Sequence, residues 1–83
     1  MITFKTESGS MYEIQLEKGT MYVRKSSGPA TTTRATAKWR ECVNSDLPVR
    51  GQRWFINWGT KNPNGSWQAT ITSKVMEIGR QDA

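Results

Sequence analysis

Basic and aromatic side chains alternate through the middle of the chain, and this pattern suggests the clearest chemistry in the sequence. The 83 residues include 12 Lys and Arg against 7 Asp and Glu. The segment from Arg24 to Lys61 holds eight of the cations but two of the acids, so it carries +6 and the remainder −1. Cations contact phosphates and release counterions, and exposed rings stack on unpaired bases. We therefore expect an anion-binding face, with solvated charges that keep a small domain soluble as the plain alternative.

Six residues of this segment are candidates for contact with nucleic acid or another polyanion. A strand predicted over 53–58 puts alternate residues on opposite faces. If its tryptophans are buried, Arg53 and Phe55 face outward, and Phe55 becomes a candidate stacking ring. The candidates, five cations for phosphates and one ring for a base, are Arg34, Lys38, Arg40, Arg53, Phe55 and Lys61.

A protein-binding or self-assembling module is the alternative interpretation of the same features. Small barrels have strand edges that can pair with a partner strand. A homodimer would cover an outward Phe55 or Tyr22. Bare rings beside converging cations would favour nucleic acid, whereas rings buried against a second copy would favour assembly.

Catalysis is the weakest interpretation of this chain. With no histidine, the usual general base is missing. Cys42 is the single cysteine, and a lone cysteine near a tryptophan is more often a small buried apolar residue than a nucleophile. One thiol without histidine also makes a metal site unlikely by chemistry. We therefore predict no enzyme activity, no catalytic residue, no metal and no cofactor.

Cysteine usage and hydropathy indicate the compartment. A secreted domain of this size usually carries several paired cysteines, and one cysteine cannot form an internal disulfide. The sequence has no apolar run near the roughly 18–20 residues that cross a bilayer, and we see no signal peptide. We expect a cytoplasmic protein that does not contact a membrane.

The length fits one domain over residues 1–83. Apolar residues recur with period two in five segments, which predicts strands over 2–5, 11–17, 21–24, 53–58 and 67–78. Lys18–Gly19 is expected to close a tight hairpin, and Asn64–Gly65 can supply the positive φ angles of a type I′ turn. Most of the eight aromatic rings are expected in the core, because a small chain needs their large buried area.

Three segments interrupt this pattern. Residues 26–33, with Gly and Pro, are predicted to form a flexible loop, and residues 80–83 a frayed tail. In the last strand, Trp67, Ala69, Ile71 and Val75 share one parity whereas Met76 and Ile78 take the other. That switch predicts a bulge near residues 74–76, of the kind that closes small barrels.

Residues 34–43 fit either a helix or a strand. Ala35, Trp39 and Cys42 have helical spacing, but Trp39, Glu41 and Val43 have strand spacing, and we favour the strand. The predicted class is all-β with at most one short helix, as a small antiparallel barrel or β-roll. A helix here would give an OB-like order, and a strand an SH3-like one.

Two segments resemble small uncharacterised β-rich proteins carried by phages, prophages and bacterial genomes. They are the opening Thr6-Glu7-Ser8-Gly9-Ser10-Met11-Tyr12-Glu13-Ile14 and the closing Thr72-Ser73-Lys74-Val75-Met76-Glu77-Ile78. A tryptophan-bearing strand over 54–58 followed by Gly59 is a further likeness. The resemblance implies a compact stand-alone β-protein and no particular activity. A phage origin would favour a protein that acts on a host protein.

Overall fold

The computed structural model describes residues 1–28 and 38–80, and these residues form six β-strands and no helix. The strands are β1 (Ile2–Thr6), β2 (Met11–Glu17), β3 (Thr20–Ser27), β4 (Arg40–Cys42), β5 (Arg53–Lys61) and β6 (Trp67–Arg80). They pair antiparallel in the order β4-β3-β2-β1-β6-β5. Because β4 and β5 at the two ends of this order also meet, the sheet is a nearly closed up-and-down barrel. The predicted all-β small barrel is confirmed.

The ambiguous segment contains a strand. Arg40 pairs with Val23 and Cys42 with Met21, so residues 40–42 extend the sheet beyond β3. The helical interpretation of 34–43 is therefore wrong for residues 40–42. The OB-like order, which depended on that helix, is wrong as well. Ser26 and Ser27 end β3, so the predicted loop at 26–33 begins later than expected. The rest of that loop from residue 29, and the tail after Arg80, lie outside the described residues.

Two hairpin turns show how local residues set the backbone. Lys18 and Gly19 have φ angles of 50° and 80° and join the paired residues Glu17 and Thr20, as a type I′ turn requires. At the β5–β6 hairpin, Gly65 has φ 87° whereas Asn64 is not at positive φ. The type I′ prediction is therefore wrong there. Pro63 fixes its own φ near −65°, and the Gly65 N–H donates to the Asn62 carbonyl, which gives a turn followed by a glycine bulge.

The barrel interior is built from residues of all six strands. Its buried apolar members are Phe4, Tyr12, Ile14, Met21, Val23, Cys42, Trp54, Ile56, Trp58 and Val75. The Phe4 ring stacks on Tyr12 with centroids 5.0 Å apart and meets Trp54 edge-on at 5.5 Å. Four of the eight aromatic rings are thus buried, and Tyr22 and Trp39 are half-buried. Phe55 and Trp67 are exposed.

Two irregularities let β6 pair with β5 and then with β1. Met76 has no partner between the pairs Lys5–Glu77 and Thr6–Val75, which confirms the predicted bulge. A second bulge sets Thr72 and Ser73 against one residue of β5. There the Trp54 N–H donates to the Thr72 hydroxyl at 3.0 Å, so a side chain replaces the missing ladder bond. Between the two bulges the side-chain parity of β6 reverses.

The seam between β4 and β5 is closed by one backbone hydrogen bond and by the side chain of Asn44. The Val43 N–H donates to the Asn57 carbonyl at 2.9 Å. Beyond it, Asn44 accepts from the Asn57 N–H at 2.8 Å and donates to the Phe55 carbonyl at 2.7 Å. The Asn44 amide group therefore makes the two bonds that a backbone peptide would make in a longer β4. Asp46 accepts from the same Asn44 amide at 2.9 Å and from the Trp54 indole at 3.2 Å.

Replacement of Asn44 by alanine should weaken the barrel, because two strand groups of β5 lose their partner. We expect a loss of about 1–3 kcal/mol in the free energy of unfolding, or about 4–8 °C in Tm per kcal/mol, measured by circular dichroism. Ser45→Ala is the matched control, because exposed Ser45 makes no hydrogen bond with any described residue. Equal Tm values for the two variants would contradict the role given to Asn44.

Candidate functional site

Four cross-strand pairs form an exposed surface on the β5–β6 hairpin. Residues directly opposite one another in an antiparallel ladder lie on the same face. On the side away from the core these pairs are Arg53–Lys74, Phe55–Ile71, Asn57–Ala69 and Lys61–Trp67. We call these eight residues the outer β5–β6 face. The alternation predicted for 53–58 is confirmed, because Trp54, Ile56 and Trp58 are buried.

Large apolar side chains are bare on this face. Phe55 is 50% exposed, its partner Ile71 61% and Trp67 55%. Single exposed apolar residues are ordinary, but three on one hairpin face form a patch of the kind that marks binding sites. The Phe55 carbonyl and the Asn57 N–H are fixed by Asn44 from behind, so the backbone under the ring is held in place.

Two cations face each other at one end of the patch. Arg53 lies opposite Lys74, both are exposed, and neither makes an ion pair within the described residues. Like charges opposite each other in a ladder destabilise the sheet. Exposed Arg50 lies near this pair, because its neighbour Gly51 donates its N–H to the carbonyl of Val75, the residue after Lys74. An anion bound here would relieve this repulsion.

A fourth cation lies at the other end of the patch. The Lys61 ammonium is 5.1 Å from the centroid of the Trp67 ring. Such a contact at an exposed site is worth about 0.5–1 kcal/mol, which a bound phosphate or base can replace. The outer β5–β6 face thus has cations at both ends and rings between and beside them.

The structure divides the sequence-predicted candidates into groups. Arg53, Phe55 and Lys61 come together on the outer β5–β6 face. Lys38 is exposed and precedes β4, so it is not part of the β5–β6 pairs. Arg34 lies outside the described residues.

Arg40 faces the interior of the barrel. Its partner in the ladder is Val23, which is fully buried. The guanidinium lies 4.7 Å from the Trp58 ring centroid and donates to the Gln68 side chain at 2.9 Å. Both contacts hold Arg40 against the core, so its placement suits packing at the barrel seam better than phosphate contact. A strand at 40–42 sets this orientation, and sequence parity for a three-residue strand is too short to indicate it.

Another basic-aromatic group is already satisfied within the protein. Arg24 lies 4.6 Å from the Trp39 ring centroid and forms an ion pair with Glu13 at 2.6 Å. Since Glu13 and Arg24 are ladder partners of β2 and β3, this is a cross-strand pair that stabilises the sheet. It offers less free positive charge than the outer β5–β6 face.

Sequence reasoning missed Trp67, Ile71 and Lys74 as members of the site. The bulge was expected only at 74–76, which left Trp67 and Ile71 on the same face as buried Val75. The second bulge at Thr72–Ser73 turns them outward. One signal could have shown this orientation, because a buried indole needs a hydrogen-bond acceptor. Thr70 accepts from the Trp58 indole at 3.0 Å. Thr70 and Thr72 therefore face the interior, and Ile71 between them faces outward.

The other chemical groups are placed as follows. Cys42 is buried, as predicted, and burial raises the pKa of its thiol, which disfavours the reactive thiolate. Among the described residues, no three carboxylate or thiol side chains are grouped to hold a metal ion. Over the same residues there is no helix long and apolar enough to cross a membrane.

Comparison of the chain with protein-family models, curated protein sequences and solved structures finds no match.

Stability should separate the roles of Arg40 and Arg53. Arg40→Ala loses a ring contact, a hydrogen bond and a packed stem, and should lower the free energy of unfolding by about 1–2 kcal/mol. Arg53→Ala removes an exposed side chain that makes no ion pair with any described residue. Its free energy of unfolding should stay within about 0.5 kcal/mol of that of the parent. Chemical denaturation of the three proteins measures both values. A destabilised Arg53→Ala with an unaffected Arg40→Ala would contradict this assignment.

Proposed function

We propose that this protein is a small non-enzymatic binding module that binds nucleic acid or another polyanion through the outer β5–β6 face. The residues in contact with phosphate would be Arg53, Lys74 and Lys61, and Phe55 would contact a base. No cofactor is required for such binding.

The observation that carries the proposal is the Arg53–Lys74 pair beside bare Phe55 and Ile71. A like-charge pair costs stability in the free protein, and that cost is recovered when a phosphate lies between the two cations. Charge-assisted hydrogen bonds to phosphate are short and strong, and Arg can bind two phosphate oxygens at once. Exposed apolar surface next to the charges adds an area that a nucleotide base covers.

A protein partner or a second copy of the chain is the alternative occupant of the same face. Phe55 and Ile71 would then be buried against apolar side chains of the partner, which would be a host protein if the chain is phage-encoded. A polyanion is favoured because Arg53 and Lys74 lie opposite each other without an ion pair to any described residue, and a bound phosphate would neutralise both. The compartment, which we expect to be cytoplasmic, is compatible with either occupant.

Charge reversal at two positions should separate binding at this face from a general effect of net charge. Arg53→Glu should weaken binding of a labelled oligonucleotide about tenfold and reduce the slope of log K against log salt by about 1. Lys18→Glu makes the same change in net charge on the β2–β3 hairpin, which is not part of the outer β5–β6 face, and should leave both quantities close to the parent. Fluorescence anisotropy at about 50 and 200 mM salt measures them.

Equal effects of Arg53→Glu and Lys18→Glu would mean that only net charge matters, and would contradict a site on this face. Absence of binding at low salt would contradict the function itself. Sedimentation at high protein concentration tests the alternative: a dimer that Phe55→Ala dissociates would assign the face to self-assembly.

A further inference from the structure

Two exposed aromatic rings lie on the outer β5–β6 face, and they are set apart along it. Phe55 is opposite Ile71, and Trp67 lies four residues before Ile71 on the same strand. With a rise of about 3.3 Å per residue and strands about 4.8 Å apart, the two backbone positions are separated by about 14 Å. Stacked bases of one strand advance about 3.4 Å per step. Neighbouring bases of a stacked strand therefore cannot reach both rings.

Both rings are exposed enough to contact a base. Phe55 is half exposed and Trp67 slightly more than half. In a duplex the faces of the bases are covered by their neighbours, so a protein ring reaches them only after a base is unstacked or extruded. An unpaired strand presents its base faces without that cost, and stacking on a ring is available to every base.

We propose, on the basis of the function proposed above, that the ligand of the outer β5–β6 face is a single-stranded nucleic acid. One base stacks on Phe55 and a second, non-adjacent base stacks on Trp67. The phosphate near the first base lies between Arg53 and Lys74. The phosphate near the second base takes the Lys61 ammonium that covers the Trp67 ring in the free protein. In a strand stacked at about 3.4 Å per step, the distance of about 14 Å between the two ring positions corresponds to about four steps.

The test compares probes that share phosphates but differ in bases. The probes are a labelled oligothymidylate of about eight nucleotides, the same backbone with abasic sites, a blunt duplex of equal length, and a dinucleotide. Two substitutions at one position provide matched variants: Phe55→Leu keeps apolar bulk without the ring, and Phe55→Tyr keeps the ring. Tryptophan emission is recorded during titration, with Trp67→Phe to identify its source, because Trp54 and Trp58 are buried.

We expect the oligothymidylate to bind about 5- to 150-fold more tightly than the abasic probe, with the duplex and the dinucleotide also weaker. Phe55→Leu should remove part of that preference and Phe55→Tyr should retain it. Binding should quench the emission of the parent but much less that of Trp67→Phe. Circular dichroism confirms that each variant is folded.

Equal, salt-dependent binding of the abasic, single-stranded and duplex probes would overturn the single-strand proposal and leave a general polyanion site. Failure of all four probes to bind at about 50 mM salt, where phosphate contacts are strong, would overturn the binding function as well. A preference for the single strand that Phe55→Leu leaves unchanged would place base contact elsewhere, and would equally overturn the proposal.

Discussion

The Asn44 side chain is the interaction on which the closure of this barrel depends. A sheet that is to close without an open edge must pair its first and last strands, and here β4 is only three residues long. The backbone supplies one bond across the gap, from the Val43 N–H, and the Asn44 amide supplies the next two. Asp46 holds the amide nitrogen and ties it to the Trp54 indole, so the seam is linked directly to the core.

This closure also fixes the candidate site. The two β5 groups that Asn44 binds are the Phe55 carbonyl and the Asn57 N–H, and the side chains of both residues lie on the outer β5–β6 face. On the opposite side of the hairpin, Thr70 and Thr72 accept from a tryptophan indole and a backbone N–H. These bonds set the parity of β6 and turn Ile71 outward. The same hydrogen bonds therefore determine which residues of the hairpin are buried in the core and which are exposed.

The sequence predicted much of the fold, and the reason is local periodicity. Alternation over 53–58 correctly assigned buried Trp54 and outward Phe55, and Lys18–Gly19 correctly indicated a two-residue turn. Bulges are harder, because an extra residue is recognised only when the pairing partner is known. The unrecognised bulge at Thr72–Ser73 is why Trp67 was not identified as a site residue. The inward orientation of Arg40 went unrecognised for a related reason, since a three-residue strand has too little periodicity to show which face is buried.

The central claim is that a nucleic acid or similar polyanion binds the outer β5–β6 face, and nuclear magnetic resonance tests it most directly. In a titration of the ¹⁵N-labelled protein with a single-stranded oligonucleotide, the account predicts shifts concentrated at the amides of Arg53, Phe55, Ile71 and Lys74 and at the Trp67 indole. It predicts little change along β2 and β3. Shifts concentrated around Lys38 and Arg40, with the β5–β6 resonances unmoved, would contradict it.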